Sequence, residues 1–162
     1  MFPTMRRFKQ EMSENEVIKI LEQEKTGILS VNGENGYPYP VPMNYVYDKG
    51  AIYFHGAFDG YKMDSINKDE KVSFCVVGED TIIPEKFTTY YSSVVVFGRA
   101  ILVEEEEQKT KIMQALNKKY SPGYEIKGDM DIAKAMKRLA VIELKIEHMT
   151  GKASMEIINE MK

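Results

Sequence analysis

Ser92-Ser93-Val94-Val95-Val96-Phe97-Gly98-Arg99-Ala100-Ile101-Leu102-Val103 is the longest β-type run in the chain, and its reading decides the fold. Three valines followed by phenylalanine suit a pleated strand better than a helix, because branching at Cβ restricts χ1 and packs well on a sheet. Gly98 interrupts the run, and a glycine inside a strand marks a bulge or a close backbone approach. Upstream, residues 71–77 form a second apolar strand and residues 27–31 a short first one, followed by the turn signals Asn32-Gly33 and Asn35-Gly36. Residues 39–47 alternate as one strand, with Val41, Met43, Tyr45 and Tyr47 on one side and Pro42, Asn44 and Val46 on the other. Pro40 and Pro42 have no N–H to give a ladder, which predicts an edge or an irregular start. Asp48-Lys49-Gly50 reads as a hairpin turn into a strand over residues 51–56. Downstream, residues 140–146 alternate through Ile142, Leu144 and Ile146.

Helices fall between and around these strands. Ser13-Glu14-Asn15-Glu16 is a capping-box pattern ahead of Val17, Ile18 and Leu21. A short helix is predicted over residues 60–68, with Asp59 as its cap. A longer one follows the acidic run Glu104 to Glu107, which suits a positive helix N-terminus, while Lys118 and Lys119 suit its other end. Ile112, Met113, Leu116 and Tyr120 form its apolar stripe, and Ser121-Pro122-Gly123 ends it. Residues 131–139 read as a further amphipathic helix. About six antiparallel strands with hairpin connections and peripheral helices make an α+β protein built on a small barrel.

The chain has 162 residues, 43% apolar and 29% charged, as expected of one globular domain spanning residues 1–162. Its formal net charge of −3 comes from 22 basic and 25 acidic side chains. Nucleic-acid binders normally carry a basic excess or stripe, so this balance points away from them. A single cysteine, Cys75, leaves no internal disulfide and fits a reducing compartment. With only 2 histidines beside it, a structural zinc site is not expected. No apolar stretch approaches the roughly 18 residues that cross a bilayer, and the first residues lack the apolar core of a signal peptide. A cytoplasmic location is the expectation.

Strict catalytic signatures are missing: no nucleophile elbow, phosphate-binding lysine loop, dinucleotide fingerprint or His-Glu-x-x-His pair occurs. An enzyme of this sequence is therefore expected to leave the difficult chemistry to a cofactor. The most informative segment is Tyr53-Phe54-His55-Gly56-Ala57-Phe58-Asp59-Gly60-Tyr61-Lys62. A strand enters a glycine-rich turn, and a helix opens with a lysine in its first turn, which is an arrangement suited to phosphate. The same spacing fits an Asp59-capped surface helix with a solvated Lys62. His55 fits equally a hydrogen-bonded histidine at a barrel mouth. Cys75 reads as a packed thiol, and Thr88-Thr89-Tyr90-Tyr91-Ser92-Ser93 as a ring- or phosphate-binding stretch, a strand surface or a dimer seam.

Several segments in this order resemble one family. Gly36-Tyr37-Pro38-Tyr39-Pro40-Val41-Pro42-Met43-Asn44-Tyr45-Val46-Tyr47 is similar to the first flavin-lining strand of pyridoxamine-phosphate-oxidase-like proteins of the nitroimidazole-resistance branch. Tyr53-Phe54-His55 with the following helix, the stretch from Pro84 to Ala100, and Val141 to Lys152 match later elements, so the resemblance covers residues 5–152. It implies an FMN-binding split β-barrel, working as a homodimer with FMN in two clefts at the subunit interface. Val41, Pro42, Met43 and Asn44 would line the isoalloxazine edge. Phe54 and His55 would sit beside the ring and ribityl chain, with His55 the candidate catalytic residue. Lys62 would hold the phosphate, with Tyr61 beside it, and Ser92 and Ser93 would reach FMN from the partner subunit.

The sequence departs from the family at two places. Tyr61 stands where a basic residue commonly precedes the helix lysine, which removes a charge-assisted contact to phosphate. Gly56 stands where this branch often has cysteine. The basic side chains with which pyridoxamine-phosphate oxidases grip a phosphorylated substrate are not evident. The resemblance implies an FMN-dependent oxidoreductase that uses reduced nicotinamide, NAD(P)H, to reduce a small electrophile such as a nitro-aromatic. The alternatives are a flavin-binding protein for storage or sensing and an OB-like barrel that binds single strands through its tyrosines.

Overall fold

The computed structural model describes Phe2 and residues 4–161. Strands β1 (Thr26–Asn32), β2 (Pro38–Asn44), β3 (Val46–Asp48), β4 (Ala51–Gly56), β5 (Lys71–Ile83), β6 (Thr88–Leu102) and β7 (Ala140–Ala153) form one sheet in the order β2-β1-β5-β6-β7-β4-β3. Every pairing is antiparallel. Around it lie α1 (Glu14–Gln23), α2 (Tyr61–Lys68), α3 (Glu106–Tyr120), α4 (Glu125–Ala135) and α5 (Met155–Glu160).

The main departure from the sequence reading is at residues 39–47. The expected single strand is split at Tyr45 into β2 and β3, which lie at opposite edges of the sheet. Laid flat, seven strands at about 4.8 Å spacing would hold those edges roughly 29 Å apart. Asn44 and Val46 can be no more than about 7 Å apart along the chain. The sheet must therefore curl until its edges meet at Tyr45. β2 and β3 do not pair with each other, so the expected barrel is a curled sheet that its own ladder does not close.

One side chain satisfies the bend. The Tyr120 hydroxyl accepts from the Tyr45 N–H at 2.9 Å and lies 2.7 Å from both the Tyr45 and the Lys25 carbonyl oxygens. Tyr45 itself is fully buried. The prolines behave as expected: β2 is an edge, with Pro40 opposite Ser30 and Pro42 opposite Ile28 of its one neighbour, β1.

In β6, Ser92, Val94, Val96 and Ala100 point inward and are buried, while Ser93, Val95, Phe97 and Arg99 point outward. The β6–β7 register shifts between Phe97 and Gly98, so the predicted interruption is a bulge. A Cβ on Gly98 would collide with the Lys145 carbonyl. The inner face joins α1 and α2 in a core that includes Leu21, Leu29, Phe54, Met63, Phe74, Val94 and Leu144. A second cluster packs Tyr53, Val103, Ile112, Leu116, Leu139 and Val141 beneath α3.

Other boundaries also moved. β5 runs past the expected end at Val77 to Ile83, across an irregularity between Val77 and Asp80. β7 continues past Ile146 to Ala153, so the segment from His148 to Lys152 is strand. The fourth helix begins at Glu125 and ends at Ala135, followed by a short 3-10 turn over Met136–Arg138, where a helix over residues 131–139 was expected.

Candidate functional site

Strand β4 divides its residues between two environments because successive side chains alternate. Phe54 points into the core, fully buried, with its ring centroid 5.1 Å from that of Phe74. His55 points the other way, on the face that Tyr53 shares, and its side chain is exposed. From the cofactor-lining pair expected here, only His55 presents a side chain outside the core.

The chain then turns into α2. Its N-cap is Gly60, not Asp59 as expected, and no side chain caps it. Gly60 has φ 104° and ψ 160°, a backbone conformation open to glycine and costly for any residue with a Cβ. The first intrahelical bonds run from Met63 and Asp64 to the Gly60 carbonyl, which leaves the Tyr61 and Lys62 amides free of helical partners. Met63 and Ile66 hold the helix to the core.

Lys62 is half-buried, with Nζ 3.6 Å from the Met43 sulfur and 3.4 Å from where a Gly56 Cβ would stand. A thioether is a weak acceptor. Among the described residues no carboxylate forms an ion pair with this ammonium. Burial holds its pKa below the ordinary lysine value. Although one edge of its ring is open to solvent, His55 is also held below the usual histidine range, first by loss of hydration where the protein surrounds the rest of the ring and then by the Lys62 charge, which favours the neutral imidazole.

The other expected ligands are distributed as follows. Val41 and Met43 are half-buried on β2, while Pro42 and Asn44 face outward and are exposed. The Asn44 amide donates to the Lys25 carbonyl at 2.9 Å. Tyr61 turns away from Lys62 toward the β1–β2 loop: its hydroxyl accepts from the Glu34 N–H at 3.0 Å, and its ring meets Tyr39 edge-on at 4.9 Å. Ser92 points inward, where its hydroxyl accepts from the Glu79 N–H at 2.7 Å. Ser93 points outward. These two serines cannot present hydroxyls to one side of the sheet together.

His55 also borders a cavity of about 440 Å³ between β4, α3 and α4. Met113, Leu116, Ile132, Ala135 and Leu139 supply apolar walls; Asn44, Asn117, Tyr120 and Asp131 supply polar ones. Sequence reasoning placed Met113, Leu116 and Tyr120 in a helix stripe and Asp131 at a helix start, with no sign that they enclose a space. The one available hint was Tyr120, since a tyrosine in an apolar stripe brings a hydroxyl that needs a partner.

A curled antiparallel sheet of this order, with a cationic helix entrance beside its edge, defines an α+β scaffold distinct from the parallel sheets of doubly wound nucleotide-binding folds. The family model described as pyridoxamine 5'-phosphate oxidase matches residues 13–153, and the chain belongs to that family. Among solved structures, a proposed 5-nitroimidazole antibiotic resistance protein from Bacteroides thetaiotaomicron is 18% identical, with a TM-score of 0.77 over 88% of this chain and 86% of its own. The conserved hypothetical protein Rv2991 from Mycobacterium tuberculosis is 22% identical, with a TM-score of 0.81 over 93% and 90%. An FAD-binding protein from Mesorhizobium loti is 21% identical, with a TM-score of 0.65 over 89% and 96%. These similarities establish the shared fold. No curated protein matches the sequence. Among the described residues no helix is long and apolar enough to cross a membrane.

Proposed function

We propose that the chain is an FMN-dependent oxidoreductase that takes reducing equivalents from a reduced nicotinamide and passes them to a small electrophile. The observation that carries this reading is Lys62: a desolvated ammonium with no ion-pair partner among the described residues, beside two uncapped helix amides, in a member of this family. Such a group is suited to a phosphate monoester, which would restore the electrostatic compensation that burial removes. Bound flavin would supply two-electron transfer. The protein would anchor the phosphate through Lys62 and the Tyr61 and Lys62 amides, and position the ring against the exposed edge of β2 at Pro42 and Asn44. Neutral His55 could exchange one proton with a substrate at its ring nitrogen.

The outward sheet face supports the homodimer. Ile28, Cys75, Val95 and Thr150 lie in register across β1, β5, β6 and β7, with Phe97 and Val77 in neighbouring rows. Ile28 and Val77 are exposed at 36% and 54%, an apolar surface suited to a second copy. Across such an interface Ser93 is the serine able to reach the partner's flavin. Ser92 points inward and its hydroxyl already accepts from the Glu79 N–H.

The test begins with titration of the purified protein with FMN. Oxidation of reduced nicotinamide is then followed with and without a nitroimidazole. A rate above that of free FMN, stimulated by the nitro compound, is expected. A protein that binds FMN without exceeding the free-flavin rate would instead be a carrier or sensor.

A further inference from the structure

Building on the flavoprotein reading, we propose that the cavity beneath α3 and α4 is the small-molecule substrate pocket, and that it selects one- or two-ring molecules bearing a positive charge. Its volume of about 440 Å³ lies within the range of small-ligand pockets, and its walls are mostly apolar. Among the described residues no lysine or arginine lines it, and the one carboxylate that does is Asp131. The ion-pair partner of Asp131 among the described residues is Lys134, one turn away at 3.9 Å, and both side chains are well exposed. That loose pair leaves the carboxylate available to a ligand cation.

The opposite wall is fixed. Asn44 and Tyr120 are both tied to the Lys25 carbonyl, so their polar atoms hold a set geometry. His55 borders this cavity and is near enough to Lys62 for the ammonium charge to act on its ring, so the acidic pocket neighbours the cationic helix entrance. A phosphorylated substrate in the cavity would meet Asp131 with no lining cation among the described residues. The pocket therefore complements the opposite charge class from the phosphorylated compound in the family's description.

Equilibrium dialysis of the full chain, with and without FMN, against 1-naphthylmethylammonium and 1-naphthoate tests this assignment. The ammonium is expected to bind about fivefold tighter or better, the scale of a partly exposed charge pair. In Asp131→Asn, an exposed substitution that leaves the core intact, the two probes should bind within about twofold of each other. Ala135→Phe should weaken both by filling the space. Equal binding of the naphthoate, no binding of either probe, or a preference that survives Asp131→Asn would overturn the proposal. Selective probe binding with no FMN binding would support the pocket and overturn the flavin reading. FMN binding with no probe selection would do the reverse.

Discussion

Lys62 and Lys119 each lose part of their hydration in this fold, and the structure accommodates them differently. Lys119, near the end of α3, places its ammonium 4.1 Å from the centre of the Tyr45 ring and donates to the Leu21 carbonyl at 3.4 Å. Burial lowers its pKa, while Glu24 and Glu22 push the other way. Lys62 is desolvated, and among the described residues its one acceptor is the Met43 sulfur. A buried cation provided with a carbonyl, a ring face and nearby carboxylates is part of the architecture. One left with a thioether is where the proposed flavin phosphate would dock. Local environment, rather than residue type, separates the two.

The comparison can be broken most directly at Lys62. Replacing it with alanine should weaken FMN binding by about 1.5–3 kcal/mol, the scale of a charged hydrogen bond, without lowering the melting temperature of the flavin-free protein. Unchanged affinity in a fluorescence titration would remove Lys62 from the site. Ser92→Ala should cost about 1–2 kcal/mol of folding stability in urea, because the Glu79 amide loses a buried acceptor. A loss of flavin affinity without that destabilisation would show that Ser92 contacts flavin after all. Lys119→Ala should lower stability by about 1 kcal/mol and leave FMN affinity unchanged. An equal effect of both lysine variants on flavin would erase the distinction drawn between them.

The smallest effect is the most selective. Removing the Lys62 charge should raise the pKa of His55 toward its ordinary value, because that charge is the second cause of its depression. The chain has only 2 histidines, so their ring protons can be followed in a pH titration by nuclear magnetic resonance. An unmoved His55 would show that burial alone sets its pKa. Stability follows from the same groups. With its folded-state pKa lowered, Lys62 binds fewer protons when folded than when unfolded at alkaline pH. Its electrostatic cost is therefore fully present below the lowered folded pKa and is relieved as pH rises toward the unfolded lysine value. Flavin-free protein should gain stability across that window relative to Lys62→Met, while phosphate affinity falls because the ammonium is being lost.

Much of the frame was legible locally. The valine run with its glycine announced β6 and its bulge, the two prolines announced the edge strand, and Asp48-Lys49-Gly50 announced a hairpin, with Lys49 and Gly50 both at positive φ. The break at Tyr45 was not legible, since alternation continues through it in the sequence and the partner that permits it lies on a distant helix. The start of the fourth helix was missed because its apolar positions before Asp131 face outward: Ile126 is 82% exposed and Met130 57%. At the site, the proximity of His55 and Lys62 followed from a strand-turn-helix spacing. The cavity did not, because it forms only when α3 and α4 pack against a sheet edge supplied from elsewhere in the chain.

The bend at Tyr45 also has a consequence for the order of assembly during synthesis. The hairpins on either side of it are local, β1 with β2 and β3 with β4, and need nothing beyond Gly56. The hydroxyl that fixes the corner between them is 75 residues further along. On a ribosome, both hairpins therefore emerge before the angle joining them can be set, and the nascent chain acquires its final curvature only after Tyr120 has left the exit tunnel.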